Sequence, residues 1–220
     1  MRNVRSVSKV VVLALWGCRG AEPGAAERAA ATPAADPDRP VILCVGTSLT
    51  AGYGLDPEQA YPALLQRRVD AEGRGYSVVN AGVSGETSAG ALRRVDWLMR
   101  RPVAVFVLET GANDGLRGQD PESTRDNIRA ILERVRQQQP PPRVLLAGMR
   151  TLTNYGPEYA RRFRSIYPEL ARQNGVALLP FLLEGVAGNP TLNLPDGIHP
   201  NAEGQARIAE VVWGALRPLL

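Results

Sequence analysis

The chain has 220 residues, 44% of them apolar and 22% charged, which suits one domain with a full core and excludes a disordered polyelectrolyte. No apolar run reaches the ~18 residues that a bilayer-spanning helix needs, and no repeat of fixed period is visible. Most of the net charge of +4 sits in the first 17 residues, where Arg2, Arg5 and Lys9 meet no acid; without these three, 23 basic residues face 22 acidic ones, with no basic stripe carrying aromatics, so no nucleic-acid partner is expected.

Residues 1–17 read as a secretory signal: a basic start, then a short apolar run from Val10 to Trp16. Leu15-Trp16-Gly17-Cys18 resembles a bacterial lipobox, which would make Cys18 a lipidated N-terminus and the protein an exported, periplasmic lipoprotein able to associate with a membrane. Ordinary cleavage after one of the later alanines is the alternative. Residues 18–40 are rich in Ala, Pro, Gly and Glu, lack apolar periodicity and read as a flexible linker. Residues 41–220 form the expected folded domain.

Within that domain, short apolar runs alternate with longer amphipathic ones. Strands are expected at Val41–Val45, Ser77–Asn80, Val103–Leu108, Val144–Met149 and Val176–Leu179. Helices are expected at Ala60–Val69, Thr87–Met99, Pro121–Gln138, Glu158–Asn174 and Asn201–Leu216. Pro121 suits a first helical turn, Pro140-Pro141-Pro142 ends that helix, and Asn201 suits an N-cap. Five apolar strands separated by helices imply an α/β fold with a parallel sheet covered on both faces. The loops Gly46–Ser48, Ala81–Thr87, Thr110–Asp114 and Leu194–His199 then gather beyond the carboxyl ends of the strands, where such sheets bind ligands. Cys44 lies in an apolar run and reads as a buried free thiol.

Acyl transfer needs a nucleophile, a base and a group that orients the base. The chain has one histidine, His199, in the polar turn Asp196-Gly197-Ile198-His199-Pro200-Asn201. Asp196, three residues upstream, can hold the imidazole Nδ1–H and leave Nε2 free to accept a proton; Asp196-Gly197 as a plain turn is the alternative. Ser48 follows the first strand and a glycine, which suits either a nucleophile or a helix cap, and position 50 is Thr, so this is not a Gly-x-Ser-x-Gly elbow. Gly85 offers an unshielded backbone N–H and Asn113 a side-chain amide to a developing oxyanion, although each alone would pass for a turn residue.

Taken in order, Gly46-Thr47-Ser48-Leu49, Asn80-Ala81-Gly82-Val83-Ser84-Gly85, Gly111-Ala112-Asn113-Asp114 and Asp196-Gly197-Ile198-His199-Pro200-Asn201 resemble the four blocks of the SGNH (GDSL-type) hydrolases. The flanks Leu49–Gly54, Asn113–Gly118 and Asn154-Tyr155-Gly156 resemble the periplasmic thioesterase I, lysophospholipase and arylesterase subgroup. The resemblance covers Val41 to the C-terminus. It implies a flavodoxin-like three-layer α/β/α fold with a five-stranded parallel sheet, and a serine hydrolase of esters and thioesters working through an acyl-enzyme. It implies no metal and no cofactor, a small-molecule substrate and no obligate protein partner. By matching position it makes Ser48, Asp196 and His199 the triad, and Ser48, Gly85 and Asn113 the oxyanion hole. Thr47 departs from the family's usual Asp, and Ala112 from a common Gly. The segment Met149–Tyr155 follows the fourth strand; its apolar members Met149, Leu152 and Tyr155 are expected to wall an acyl groove, the alternative being that this loop packs only on its own domain. Two other functions compete: a carbohydrate O-deacetylase of the same fold, and a non-catalytic lipid- or glycan-binding lipoprotein.

Overall fold

The computed structural model describes residues 39–151 and 153–220. The expected signal segment, Cys18, the linker up to residue 38, and Leu152 lie outside the described residues.

Among the described residues, five strands form one parallel sheet in the order β2-β1-β3-β4-β5: β1 Val41–Gly46, β2 Ser77–Gly82, β3 Val105–Glu109, β4 Arg143–Ala147 and β5 Ala177–Leu179. Every residue of β3 is buried, as expected of a central strand covered on both faces. β1 pairs with β2 on one side (Cys44 opposite Asn80) and with β3 on the other (Cys44 opposite Val107). The chain therefore leaves β1 and β3 at the point where strand order reverses, which opens a crevice there.

The larger helices are α2 Tyr61–Ala71, α3 Ser88–Leu98, α5 Pro121–Val135, α6 Gly156–Asn174 and α7 Ala202–Leu216, and two short ones, α1 Ser48–Ala51 and α4 Ala112–Leu116, start at the crevice. α2 packs with α7, and α5 packs with both α3 and α6, giving helical layers on the two sides of the sheet. α5 shows how the sequence makes such a layer. Asp120 caps it by accepting from the Ser123 N–H, Pro121 fills its first turn, and Ile128, Ile131, Leu132 and Val135 form the buried stripe. The core runs through the sheet: Phe106, Leu108, Leu145 and Leu146 are fully buried, and truncating such a phenylalanine costs about 3–5 kcal/mol. Cys44 is a buried free thiol whose pKa burial pushes up to about 12.

Some boundaries differ from the sequence expectation for physical reasons. β3 starts at Val105 rather than Val103, because the Gln138 side chain takes both backbone groups of Val103, accepting from its N–H (2.9 Å) and donating to its carbonyl (2.8 Å). The same contact draws Gln138 out of α5, which ends at Val135. At its other end β3 runs on to Glu109, a fully buried carboxyl.

Candidate active site

His199 is carried by a hairpin-like loop between β5 and α7. Leu194 N–H donates to the His199 carbonyl (2.7 Å), Asn201 N–H donates to the Leu192 carbonyl (3.0 Å), and Asn193 bridges Pro200. Gly197 turns the loop at φ +74°, a conformation that favours glycine. Asn201 then caps α7 by accepting from the Gly204 N–H at 3.0 Å.

Within this loop one carboxylate does two things. Asp196 Oδ1 accepts the backbone N–H of Ile198 and of His199, both at 3.0 Å, and Oδ2 lies 2.7 Å from His199 Nδ1. The His199 N–H, its ring and the Ile198 N–H hold the Asp196 carboxyl down at about 2. An ionised Oδ2 only accepts, so Nδ1 carries the proton and Nε2 presents its lone pair. That lone pair faces Ser48 Oγ at 3.0 Å. The Tyr53 ring lies against the imidazole, with centroids 4.5 Å apart.

Ser48 is the first residue of α1, directly after β1 and Thr47. Its N–H has no partner within its own helix by position. α1 is fastened from several sides. Asn80 of β2 donates to the Thr50 carbonyl (3.0 Å), the buried Gln205 of α7 donates to the Leu49 carbonyl (3.0 Å), and Tyr61 of α2 meets Thr50 Oγ1 (3.0 Å). Beneath it, Glu109 accepts from Thr47 and Thr50.

Gly85 and Asn113 reach the same cleft as Ser48 and His199. Gly85 has φ +76°, so a side chain there would be strained, and its carbonyl accepts from Arg117 (3.1 Å). Asn113 follows the left-handed Gly111 (φ +94°) at the start of α4, and its amide donates to the Glu86 carbonyl at 2.9 Å, which leaves one amide hydrogen. The loop carrying Gly85 is anchored by Glu86, paired with Arg94 at 2.6 Å, and by Arg94 donating to the Ala81 carbonyl at 2.7 Å. Asp114 ties α4 to the start of α3 by accepting from the Ser88 N–H (2.9 Å) and hydroxyl (2.5 Å).

The cleft measures about 560 Å³ and is mostly apolar; its walls include Leu49, Met149, Phe181, Leu183 and Ile198. Arg150 stands at its edge, its guanidinium 4.2 Å from the centre of the Phe181 ring. Met149 is thus brought to the cleft. Tyr155 is not among the cleft-lining residues: its hydroxyl donates to the Leu116 carbonyl (3.1 Å) and its ring covers Gly118, so it buttresses the turn after α4. Tyr53, Leu49, Phe181 and Leu183 are cleft residues that sequence reasoning did not single out. Tyr53 was signalled by the Leu49–Gly54 flank. Phe181 and Leu183 lie just beyond the short β5, outside every motif block. Among the described residues, no group of three or more His, Cys, Asp or Glu side chains is placed to hold a metal ion, and no helix is long and apolar enough to cross a membrane.

A doubly wound parallel sheet with a serine, a histidine and an aspartate in hydrogen-bonded series at its strand ends is the architecture of an acyl hydrolase. Residues 44–207 match the model of the GDSL-like lipase/acylhydrolase family, and the chain belongs to that family of ester-bond hydrolases. It is 44% identical over 180 residues to esterase TesA of Pseudomonas aeruginosa, covering 81% of this chain and 89% of that one. It is 41% identical over 180 residues to thioesterase 1/protease 1/lysophospholipase L1 of Escherichia coli K12, covering 81% and 84%. A crystal structure of TesA superposes with a TM-score of 0.77 at 44% identity, covering 82% of this chain and 99% of that one.

Proposed function

We propose that this esterase cleaves carboxylic esters and acyl thioesters through an acyl-enzyme on Ser48. The observation that carries the reading is the imidazole of His199, held on one nitrogen by Asp196 at 2.7 Å and facing Ser48 Oγ on the other at 3.0 Å. Ser48 Oγ attacks the acyl carbonyl as its proton passes to His199 Nε2, and Asp196 stabilises the imidazolium that results. The Ser48 and Gly85 N–H groups and the remaining amide hydrogen of Asn113 receive the oxyanion, where charge develops in the transition state. Collapse breaks the bond to the alcohol or thiol, which leaves with the proton from His199. Water, deprotonated by the same nitrogen, then attacks the acyl-Ser48 ester and releases the acid. Met149 and Leu49 support the acyl chain; Leu152 lies outside the described residues and joins them only through its place in the sequence after β4.

The names of the relatives support this substrate class, and the apolar cleft agrees with it. Mapping by peptide mass after treatment with a fluorophosphonate, together with hydrolysis of a p-nitrophenyl ester, tests it. The label is expected on Ser48, and Ser48→Ala is expected to be inactive; substantial turnover by purified Ser48→Ala overturns the mechanism. Hydrolysis confined to acetylated sugars would instead favour the O-deacetylase.

For location, we infer export through residues 1–17, with Cys18 lipidated and residues 18–40 tethering the domain. The support is the basic start, the short apolar run and the Leu15–Cys18 box. Cys18→Ser is expected to release a membrane-associated enzyme into the soluble fraction; a mature N-terminus found elsewhere and without lipid overturns the anchor.

A further inference from the structure

The charge of this domain is divided between the two ends of its sheet. The segments that lead out of the strands toward the next long helices carry Asp56, Glu58, Glu86, Asp120, Glu184 and Asp196 against Arg117 and Arg150. The segments that lead into the strands carry Arg39, Arg74, Arg100, Arg101, Arg136 and, as the first residue of β4, Arg143, against Glu72. The cleft therefore opens at an acidic end, and the opposite end is basic. Helix dipoles favour this division, since the helices begin at the first end and finish at the second. They do not account for what else the basic end carries. Trp97, in the last turn of α3, is 64% exposed, the highest value of any large apolar side chain among the described residues. Pro102, just beyond that helix, is exposed as well.

Part of the basic charge is already met. Arg39 pairs with Asp70 at 2.6 Å and Arg74 with Glu72 at 2.8 Å. Asp96, the acid beside Trp97 in sequence, is taken up by Arg134 at 3.0 Å. Other arginines meet neutral groups: Arg143 donates to the Tyr76 hydroxyl (2.9 Å) and Arg136 to the Asn174 side-chain oxygen (3.2 Å). Arg100 and Arg101 are exposed, and no ion pair or side-chain hydrogen bond holds either one among the described residues. These pieces adjoin one another. Ala104 N–H donates to the Val41 carbonyl (2.9 Å), Arg143 N–H to the Ala104 carbonyl (3.0 Å) and Ser77 N–H to the Pro40 carbonyl (3.0 Å). The loop after Trp97 thus runs beside the point where the chain enters β1.

We propose that this basic end, through Trp97, Arg100 and Arg101, docks on an anionic lipid surface and turns the cleft away from it. Three features select lipid as the occupant. Tryptophan is amphipathic and settles where an apolar interior meets water. Arg100, Arg101, Arg136 and Arg143, free of carboxylates, complement the phosphates of an anionic leaflet. The chain also enters the domain at this end, so the tether inferred above would bring this end to a membrane first. The proposal needs neither a lipid on Cys18 nor the reading of Ser48 as nucleophile. A basic and aromatic surface is a second membrane signal of its own.

The test uses the full chain with Cys18→Ser throughout, so that no acyl anchor contributes. Cosedimentation is measured with vesicles of phosphatidylcholine, with and without phosphatidylglycerol. The parent is expected to bind the phosphatidylglycerol vesicles, more weakly as salt rises. Arg100→Gln and Arg101→Gln should each lower that affinity about fivefold. Trp97→Ser should lower it too, and its effect should persist in high salt, because apolar burial is not screened. All three side chains are exposed and distant from the cleft, so unchanged esterase activity in solution verifies that the variants fold. Bound parent should hydrolyse a soluble p-nitrophenyl ester as fast as free parent, since the cleft stays open to water. Equal sedimentation of the parent and the triple variant Trp97→Ser/Arg100→Gln/Arg101→Gln overturns the proposal, as does a parent that binds neither vesicle. Binding that is lost in Arg150→Gln instead, or a bound enzyme closed to the soluble ester, would put the cleft end on the membrane and overturns it as well. Binding to duplex DNA that matches the vesicles, with Trp97→Ser silent on both, would make this end a general polyanion site and not a lipid one.

Discussion

Ser48 and His199, the proposed nucleophile and base of this hydrolase, are held by opposite means. His199 sits on a loop organised by its own neighbours, since Asp196, three residues away, fixes its backbone and its ring together. That carboxylate is 39% exposed. Ser48 sits on a four-residue helix whose restraints come from far along the chain: Asn80, Glu109 and Gln205 reach it over 30, 59–62 and 156 residues, and the latter two are fully buried. A local, solvated mount lets the imidazole change protonation state without disturbing the core. A remote, buried mount gives the attacking oxygen and its N–H a fixed direction. The two halves of one site are therefore expected to fail differently when perturbed.

The largest effects come from removing the reacting groups. Ser48→Ala and His199→Ala should each lower kcat on the order of 10⁴-fold or more, with the double variant little worse than either single one, because triad members act as a unit. Losses that multiply in the double variant would mean that the two residues act in separate steps. Asp196→Asn should cost on the order of 10⁴-fold by favouring the wrong tautomer while leaving thermal stability nearly unchanged, as an exposed local pair contributes little. A large fall in Tm would show that the loop is mounted more deeply than its geometry indicates.

The acid side of the pH profile sharpens the same contrast. A carboxyl held down at about 2 stays ionised through the usual assay range. Any stability it adds is present above the unfolded carboxylate value and is lost only as pH falls toward 2. Above pH 4 this carboxyl should therefore add nothing to acid inactivation, and the slope of log(kcat/KM) against pH should not exceed one. A slope of two would mean that Asp196 titrates as well.

This contrast also explains what could be read before any coordinates. The base loop is legible because its logic lies within Asp196–His199, a spacing visible in one line of sequence. The sheet is legible because runs such as Val105–Leu108 are apolar throughout. Glu109 is not legible: it looks like the charged residue that ends a strand, and its partners are 59–62 residues away. Gln205 is similarly hidden among helical residues of α7. Tyr155 misleads in the other direction, because an aromatic in a strand-end loop suggests a substrate wall, yet its hydroxyl is spent on the Leu116 carbonyl. Contacts between distant segments decide these cases, and neither propensity nor periodicity carries them.

Asn113 bridges the two halves, as it lies on the remotely anchored side while the proposed mechanism has it serve the charge that develops in the cleft. One of its amide hydrogens is already given to the Glu86 carbonyl, which fixes the direction of the other. Asn113→Ala should lower kcat by about 10²–10³ with little change in KM. A normal kcat with a raised KM would make Asn113 a substrate-binding residue instead.

The smallest effects are expected in the acyl cleft, where no single contact dominates. Its walls are apolar side chains from several loops, among them Leu49, Met149, Phe181 and Leu183, and each buried methylene of substrate gains at most ~0.8 kcal/mol there. That is only a few-fold per carbon, so kcat/KM should climb gradually across acetyl, butyryl and octanoyl esters, with no sharp cutoff. Met149→Ala should flatten this climb, because the longer chains lose a wall that acetate never touches; the acetyl ester should change by less than about twofold. Leu152→Asp should act in the same direction and further, since a carboxylate desolvated by a long acyl chain costs more than a missing side chain. An equal loss for acetyl and octanoyl esters in both variants would show that these side chains shape the catalytic geometry rather than the acyl site, and would shift the chain-length preference to the Phe181 and Leu183 wall.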